Sequence, residues 1–223
     1  MRKIIVGAQI SLDGVMQAPG APTEDPTGGF RFGGWAMPYF GDEAGEEIGR
    51  LFGGTFSLLL GRRTYEIFAA YWPYYDEKGP AGDIATLFNS VGKYVVSRSG
   101  EVDTSWQRSV LLRDIADVKR LKQEAGPDLV TQGSTELVHA LLANDLVDEL
   151  QVFMVPVVLG GGKKLFADGS APHRYALARS RVSSAGLVIA HYVRDGEIEI
   201  GNAGPAHPSK AEITRQQRMK RES

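Results

Sequence analysis

Three short segments of the chain carry residues suited to binding an anion, and each follows a predicted buried strand. They are residues 61–64, 97–100 and 133–135. In open α/β sheets, ligands bind beyond the carboxyl ends of the strands, where helix N-termini offer free N–H groups and a partial positive charge. The sequence therefore predicts three strand-to-helix junctions that share one edge of a sheet and bind a phosphorylated ligand there.

The first junction combines a glycine with two bases. Gly61 permits close approach of the backbone, and Arg62 and Arg63 open a predicted helix, followed by Thr64. Because basic residues at a helix N-terminus oppose the helix dipole, two of them there indicate that an anion binds. The alternative is a pair of solvent-exposed arginines without a ligand.

The second and third junctions carry hydroxyl groups. Ser97 and Arg98 suit a phosphomonoester such as the 2′-phosphate of NADP, because a guanidinium beside hydroxyls matches its oxygens, although the same residues are ordinary turn composition. Gly133, Ser134 and Thr135 suit a pyrophosphate held by N–H groups and hydroxyls. The alternative for Ser134 is a helix cap, and both roles can hold at once.

The elements that must position these junctions alternate between strand and helix. Apolar runs predict strands at 3–10, 56–60, 93–97, 110–112, 129–131, 150–158, 175–182 and 187–194. Apolar periodicity predicts helices at 42–52 and 62–71, a third that begins at the N-cap Asp114 and ends near residue 126, and a fourth after residue 134. This order predicts a three-layer α/β fold whose mainly parallel central sheet ends in a C-terminal antiparallel hairpin.

One segment, residues 17–41, has no predicted strand or helix and is rich in Gly, Pro and aromatic residues. Loops of this length inside a compact domain are either functional or disordered, and aromatic side chains favour burial over disorder. We therefore expect a lid or binding loop, and we call residues 17–41 the aromatic loop.

Length and charge limit how many domains the chain can form and which partners it can attract. Its 223 residues suit one domain at 1–201 followed by a flexible basic tail at 202–223. The formal net charge of −2 gives no overall attraction to nucleic acids or acidic membranes. An alternative role for the tail is that of a basic interaction arm.

Residue usage excludes several kinds of chemistry. The absence of cysteine excludes disulfides, thiolate nucleophiles and cysteine-ligated metals, and because the four histidines lack metal-ligand spacing, we expect no metal site. No segment is apolar enough for a secretory signal or a membrane span. We expect a cytoplasmic protein with a small-molecule partner.

Several of these segments resemble known families. Residues 60–66, Leu-Gly-Arg-Arg-Thr-Tyr-Glu, resemble the cofactor-binding signature of the dihydrofolate reductase fold, and Ser97-Arg98-Ser99 resembles that family's second contact to the 2′-phosphate. Residues 11–14, 131–134 and 146–166 resemble the C-terminal reductase domain of the bifunctional riboflavin-biosynthesis deaminase-reductase. The resemblance runs from residue 2 to residue 195, in the family's order.

The resemblance implies a stand-alone NADPH-dependent reductase domain, of a kind that is usually a homodimer, without the zinc deaminase half. It implies hydride transfer to a small, flat heterocycle that is pterin-like or pyrimidine-like. Candidates on the substrate side are Trp35, Asp42 and Tyr65, of which Asp42 is also explained as the N-cap of the helix at 42–52. Asp13 is the candidate proton donor if burial raises its pKa, and ordered water is the alternative.

Two interpretations from other classes stay open. One is a non-catalytic protein that binds a nucleotide or another small ligand on the same fold. The other is a nucleic-acid binder that uses the basic tail.

Overall fold

An eight-stranded sheet forms the centre of the computed structural model, which describes residues 1–222. The strands are β1 (Ile4–Ser11), β2 (Phe56–Gly61), β3 (Lys93–Val96), β4 (Ser109–Leu112), β5 (Asp128–Thr131), β6 (Glu149–Val155), β7 (Tyr175–Val182) and β8 (Val188–Arg194). The α-helices are α1 (Asp42–Leu51), α2 (Arg62–Tyr71), α3 (Gly82–Ser90), α4 (Ile115–Gln123), α5 (Thr135–Ala143) and α6 (Lys210–Glu222). Short 3-10 helices lie at Thr27–Gly29, Met37–Tyr39 and Trp72–Tyr74.

The strand order is β4-β3-β2-β5-β1-β6-β8-β7. Neighbours from β4 to β6 pair in parallel, whereas β8 pairs antiparallel with both β6 and β7. The prediction of a mainly parallel α/β sheet with a C-terminal antiparallel hairpin is confirmed. Because β3, β2, β5, β1 and β6 are consecutive and parallel, their carboxyl ends lie in that order along one edge.

The central strands are buried on both faces of the sheet, as parallel strands covered by helices are. In β2, Leu58 and Leu60 belong to one core cluster, while Leu59 belongs to the other. Phe68 of α2 and Phe88 of α3 pack into the first cluster, and α4 and α5 supply apolar side chains to the second. These packed faces make the three predicted layers.

Several local predictions need correction. Asp42 is the first residue of α1 and not its N-cap, which is Gly41. Helix α4 ends at Gln123, and β6 ends at Val155 instead of residue 158. The sequence did not predict helix α3, because its first residue, Gly82, has a low helix propensity and lies two residues after Pro80. The N-cap Asp114 is confirmed: its side chain accepts hydrogen bonds from the N–H groups of residues 116 and 117.

The C-terminal segment contains a helix that the sequence did not predict. No residue of α6 is buried, and its side chains are charged along much of its length. The prediction that residues 202–223 form a flexible tail stays a prediction, and Ser223 lies outside the described residues. Within residues 1–222, no helix combines the length and the apolar composition that crossing a membrane requires.

The outer hairpin leaves apolar side chains exposed on one face of the sheet. By register Val182 lies opposite Val188, and Leu177 lies opposite Tyr192. Leu177, Val182 and Val188 are 56%, 69% and 41% exposed. We call these three side chains the outer apolar patch.

A buried lysine begins β3. The Nζ of Lys93 donates to the carbonyl oxygens of Asn89 at 3.1 Å and Gln107 at 3.0 Å, and it lies 4.3 Å from the centre of the Trp106 ring. Desolvation by burial, together with the charge of Arg108, lowers the pKa of Lys93 to about 8.

This lowered pKa makes stability depend on pH. The Lys93 pKa is 10.5 without the protein environment, so between pH 8 and 10.5 the unfolded chain binds more protons at this residue than the folded chain. The contribution of Lys93 to the free energy of unfolding therefore rises with pH across that window. Urea denaturation of wild type and Lys93→Met, measured at about pH 8, 9 and 10, is expected to show wild type gaining stability relative to the variant. Parallel pH profiles for the two proteins would contradict this assignment.

Candidate functional site

Two of the three predicted junctions touch each other. The N–H of Gly61, at the end of β2, donates to the carbonyl oxygen of Gly133 after β5, at 3.1 Å. Gly61 also lies opposite Val96, the last residue of β3, in the β2–β3 register. Ser97, the residue after Val96, therefore lies directly beside this contact. The three segments meet at one edge of the sheet.

Only a glycine fits at the point of contact. A Cβ on Gly61 would lie 2.1 Å from the Oγ of Ser134, and a Cβ on Gly133, whose φ is +141°, would lie 2.8 Å from the Oγ1 of Thr64. The Gly133–Ser134 peptide bond is cis. The N-terminus of α2, which begins after Gly61, thus lies beside that of α5, which begins after Ser134.

Neither helix has a side-chain cap at this point. Ser134 is the N-cap residue of α5, but its side chain makes no capping hydrogen bond, so the predicted capping role is wrong. Gly61, the N-cap of α2, has no side chain to offer. The first N–H groups of both helices, Thr135 included, therefore face the junction without a side-chain acceptor.

The three predicted arginines differ in their contacts. Arg62 pairs with Glu66 at 3.1 Å, with both side chains about half exposed, and the Nη1 of Arg63 donates to the Oγ1 of Thr27 at 3.3 Å. Arg98 is exposed, and no residue in the described range 1–222 gives its guanidinium a hydrogen-bond or ion-pair partner. A pair like that of Arg62 contributes little in water, so its guanidinium is readily available to an anion.

The second junction is not a strand-to-helix junction. Residues after β3 form a loop that leads to β4, so no helix begins at this junction, and that part of the prediction is wrong. Ser97 is buried, and its Oγ lies 3.1 Å from the Oγ of Ser99. Anion binding at this junction would depend on side chains.

Asp13 does not meet the condition set for a proton donor. Its carboxylate accepts hydrogen bonds from the Ser11 hydroxyl at 2.6 Å and from the N–H groups of Leu159 and Gly160 at 3.1 and 2.8 Å. These bonds, that of Ser11 first, lower the pKa of Asp13 to about 2. The predicted raised pKa is wrong, and an ionised Asp13 holds the turn after β6 against the end of β1.

The three substrate-side candidates lie apart. Tyr65 is buried in the core, where its hydroxyl donates to the Oγ of Ser109 at 2.9 Å and its ring packs on Trp106, so its predicted substrate contact is wrong. Trp35 is also buried, and its indole Nε1 donates to the carbonyl oxygen of Gln17 at 2.8 Å. Asp42 is exposed in the first turn of α1.

A cleft of about 340 Å³ opens at the carboxyl ends of β1 and β6. It lies between the aromatic loop and residues 160–163, which we call the glycine turn. The lining residues are Gln17, Thr27, Gly28, Gly29, Phe30, Arg31, Phe32, Leu159, Gly161, Gly162 and Lys163. The sequence predicted a binding loop here but named none of these side chains. The glycines that follow buried strand β6 repeat the pattern of the other junctions. That pattern would have indicated that residues 160–163 form one side of a binding site.

The fold and the site define a class of protein. A parallel sheet with this C-terminal hairpin, and with polar junctions along its carboxyl edge, is a dihydrofolate-reductase-like α/β fold. Within residues 1–222, no group of three or more His, Asp or Glu side chains is arranged to hold a metal ion.

The chain belongs to the RibD C-terminal domain family, whose model matches residues 2–189. It is 30% identical over 135 residues to the uncharacterized protein YyaP of Bacillus subtilis (strain 168), covering 59% of this chain and 70% of that one. It is 28% identical over 144 residues to YwjB of the same strain, covering 62% and 73%. The resemblance noted in the sequence is thereby confirmed.

Solved structures share the fold at low identity. A putative riboflavin biosynthesis protein from Shewanella sp. PV-4 superposes with a TM-score of 0.60 at 20% identity, covering 87% of this chain and 99% of that one. A pyrimidine reductase-like protein from Corynebacterium diphtheriae superposes with a TM-score of 0.55 at 14% identity, covering 88% and 93%.

The contact between Gly61 and Ser134 can be tested by adding one methyl group. We expect Gly61→Ala to lower the free energy of unfolding by about 1–3 kcal/mol, because its Cβ would overlap the Ser134 hydroxyl. The double variant Gly61→Ala/Ser134→Gly removes that hydroxyl and is expected to be more stable than Gly61→Ala alone. Denaturant unfolding measures both differences.

Gly49→Ala is the matched control for this substitution. Gly49 lies within α1, and a Cβ there meets nothing within 4 Å. We expect Gly49→Ala to leave stability unchanged or to raise it by up to about 1 kcal/mol. Equal effects at Gly61 and Gly49 would contradict the close contact.

Proposed function

We propose that this protein is an NADPH-dependent reductase that transfers hydride to a small, flat heterocycle, pyrimidine-like or pterin-like, bound in the cleft. The observation that carries the proposal is the meeting of the three junctions, through the Gly61–Gly133 hydrogen bond, on the same sheet edge as the cleft. The RibD C-terminal family supports a reductase role, and the pyrimidine reductase-like structure supports a pyrimidine-type acceptor.

The residues at the junctions fit the phosphates of NADPH. A 2′-phosphate suits Arg98, which has no partner within residues 1–222, together with Arg62, Arg63 and the hydroxyls of residues 97 and 99. A pyrophosphate suits the uncapped N-terminus of α5, with Ser134 and Thr135. The missing Cβ atoms of Gly61 and Gly133 let both segments lie close together beneath the ligand.

Bound NADPH supplies the hydride. The chain's own residues orient the acceptor and exclude water from it, since the cleft has aromatic walls at Phe30 and Phe32. The residues that line the cleft include no carboxylic acid, and Asp13 is ionised, so we propose that ordered water delivers the proton.

The absence of a carboxylic acid among the cleft residues also favours the second candidate, a non-catalytic protein that binds a nucleotide on the same fold. Assays of NADPH oxidation with pyrimidine, pterin and quinone panels distinguish the two. Oxidation with any acceptor supports the reductase, whereas tight NADPH binding with no oxidation supports the binding protein.

The preference for NADPH over NADH tests whether the arginines bind the 2′-phosphate. We expect wild type to bind NADPH at least about tenfold more tightly than NADH, and Arg98→Ala to lose about 10–100-fold in NADPH affinity with little change for NADH. Arg120→Ala removes the same charge from the last turn of α4 and should change neither affinity. Titration of protein fluorescence measures all three proteins, and equal affinities of wild type for the two nucleotides would remove the basis of the proposal.

We also propose that the protein works in the cytoplasm as a homodimer, with the outer apolar patch (Leu177, Val182 and Val188) as the contact between copies. The two charged side chains of β7 that flank the patch, Arg179 and Arg181, pair with glutamates of α1 on the opposite face. The patch therefore presents no charge to a second copy, as the centre of a protein interface requires.

Sedimentation analysis tests the dimer. Wild type should sediment as a dimer, and Val182→Glu should sediment as a monomer, because a carboxylate buried between copies would have no partner. Val110→Glu adds the same charge on β4, at the other edge of the sheet, where Val110 is 49% exposed, and should remain dimeric. A monomeric wild type, or identical behaviour of the two variants, would contradict the assignment.

A further inference from the structure

The side chain of Gln17 joins the aromatic loop to the glycine turn. Gln17 is 4% exposed, and its Nε2 donates to the carbonyl oxygens of Asp25 and Thr27, both at 2.9 Å. Its Oε1 accepts from the N–H of Lys163 at 3.1 Å. Two donors and an acceptor are used at once, which an amide satisfies and a carboxylate does not.

Lys163 makes the same connection with its side chain. Its Nζ donates to the Oδ2 of Asp25 at 2.5 Å and to the Oγ1 of Thr27 at 2.8 Å. Burial raises the pKa of Asp25, but the hydrogen bonds from Lys163 and Thr27 outweigh burial and the pKa is lowered. Gln17 and Lys163 therefore bind the same two loop residues, Gln17 through their carbonyl oxygens and Lys163 through their side chains.

The segment held in this way forms one side of the cleft, and we call residues 27–32 the cleft wall. Gly28 and Gly29, with φ of +71° and +75°, turn the chain so that Phe30 comes against Gly162. A Cβ on Gly162 would lie 2.9 Å from the Phe30 ring. Phe30 and Phe32 then meet edge to face, with 5.9 Å between ring centres.

The cleft wall also contacts the candidate cofactor site. The Thr27 hydroxyl that accepts from Lys163 also accepts from the Nη1 of Arg63, at 3.3 Å, in the first turn of α2. This bond uses one of the five donors of the Arg63 guanidinium, so the others stay available to a phosphate and the affinity for the cofactor does not depend on the wall.

We propose that Gln17 is a positioning residue that, with Lys163, fixes the cleft wall and thereby sets the affinity for the acceptor without setting the affinity for the cofactor. The proposal rests on the proposed function in one respect, that the acceptor binds in this cleft. The shape of the cleft depends on the amide because its three hydrogen bonds join residues 25 and 27 to residue 163 on the other side of the cleft. A mobile wall gives the acceptor no fixed aromatic surface.

Backbone order parameters from NMR relaxation test the positioning role without any substrate. Gln17→Glu keeps the size of the side chain but removes both donors and places a carboxylate beside two carbonyl oxygens. We expect the order parameters of the backbone amides at residues 25 and 27–32 to fall by at least about 0.2 in the variant, with those of β1 and β6 unchanged. Gln123→Glu, the same change on an exposed residue at the end of α4, should match wild type.

Lys163→Met provides a second variant if Gln17→Glu does not fold, because it removes the ammonium and leaves the Gln17 amide in place. It should lower the order parameters of the same residues. Unchanged order parameters at residues 25–32 in a folded Gln17→Glu protein overturn the proposal, whatever the protein's activity.

Steady-state kinetics test the consequence for the acceptor. With the pyrimidine or pterin that oxidises NADPH fastest, we expect Gln17→Glu to raise the acceptor KM about tenfold, with kcat and the Kd for NADPH changed less than about twofold. A fall in kcat with KM unchanged, or an equal loss of NADPH affinity, overturns the proposal. If no acceptor reacts with wild type, the proposed function fails, and with it the link to acceptor affinity, while lower order parameters still establish that Gln17 positions the wall.

Discussion

The contact between Gly61 and the 133–134 peptide is the constraint on which the site depends. It joins the ends of neighbouring strands β2 and β5 and brings the N-termini of α2 and α5 side by side. Two helix N-termini at this distance repel each other through their partial positive charges, and Arg62 and Arg63 add to that repulsion. Packing of the central strands holds these partial charges side by side. Under the proposed function, a phosphate would bind where the fold has already brought them together.

Strand order converts this local contact into an elongated site. The ends of β3, β2, β5, β1 and β6 follow one another along the edge, across roughly 19 Å for four strand spacings. The chain passes from β1 to β2 in one direction and from β5 to β6 in the other, which is the topological switch that leaves a crevice in an open sheet. The arginines lie at one end of this line and the cleft at the other. This separation is the reason for proposing a ligand with phosphates at one end and a reactive ring at the other.

The parts of the structure that follow from nearest neighbours in sequence could be predicted, and the parts that depend on distant contacts could not. A continuous apolar run that ends at a glycine predicts the strand at 56–61, and an apolar face predicts the helix at 62–71. That same apolar face contains Tyr65, so its burial was readable from the helical pattern, and assigning it to substrate ignored the pattern. The pKa of Asp13 could not be predicted, because two of its three partners are about 146 residues away in sequence.

The cleft also depends on contacts between residues that are distant in sequence, so it could not be predicted. Its two sides come from the aromatic loop and from the glycine turn, which no local pattern connects. They are joined by polar side chains that bond to backbone: Asp13 holds the N–H groups of residues 159 and 160, and Gln17 holds that of residue 163. The three glycines of the turn have no side chains with which to pack, so the turn takes its position from the residues that follow β1 and from the side chain of Lys163. The carboxylate form of Asp13 accepts these bonds more strongly than the protonated form, and its pKa is lowered to about 2, so the turn loses this support only as the pH falls through that value. The carboxylate that the sequence offered as an acid therefore serves this fold as an acceptor, and the geometry of the cleft depends on its staying ionised.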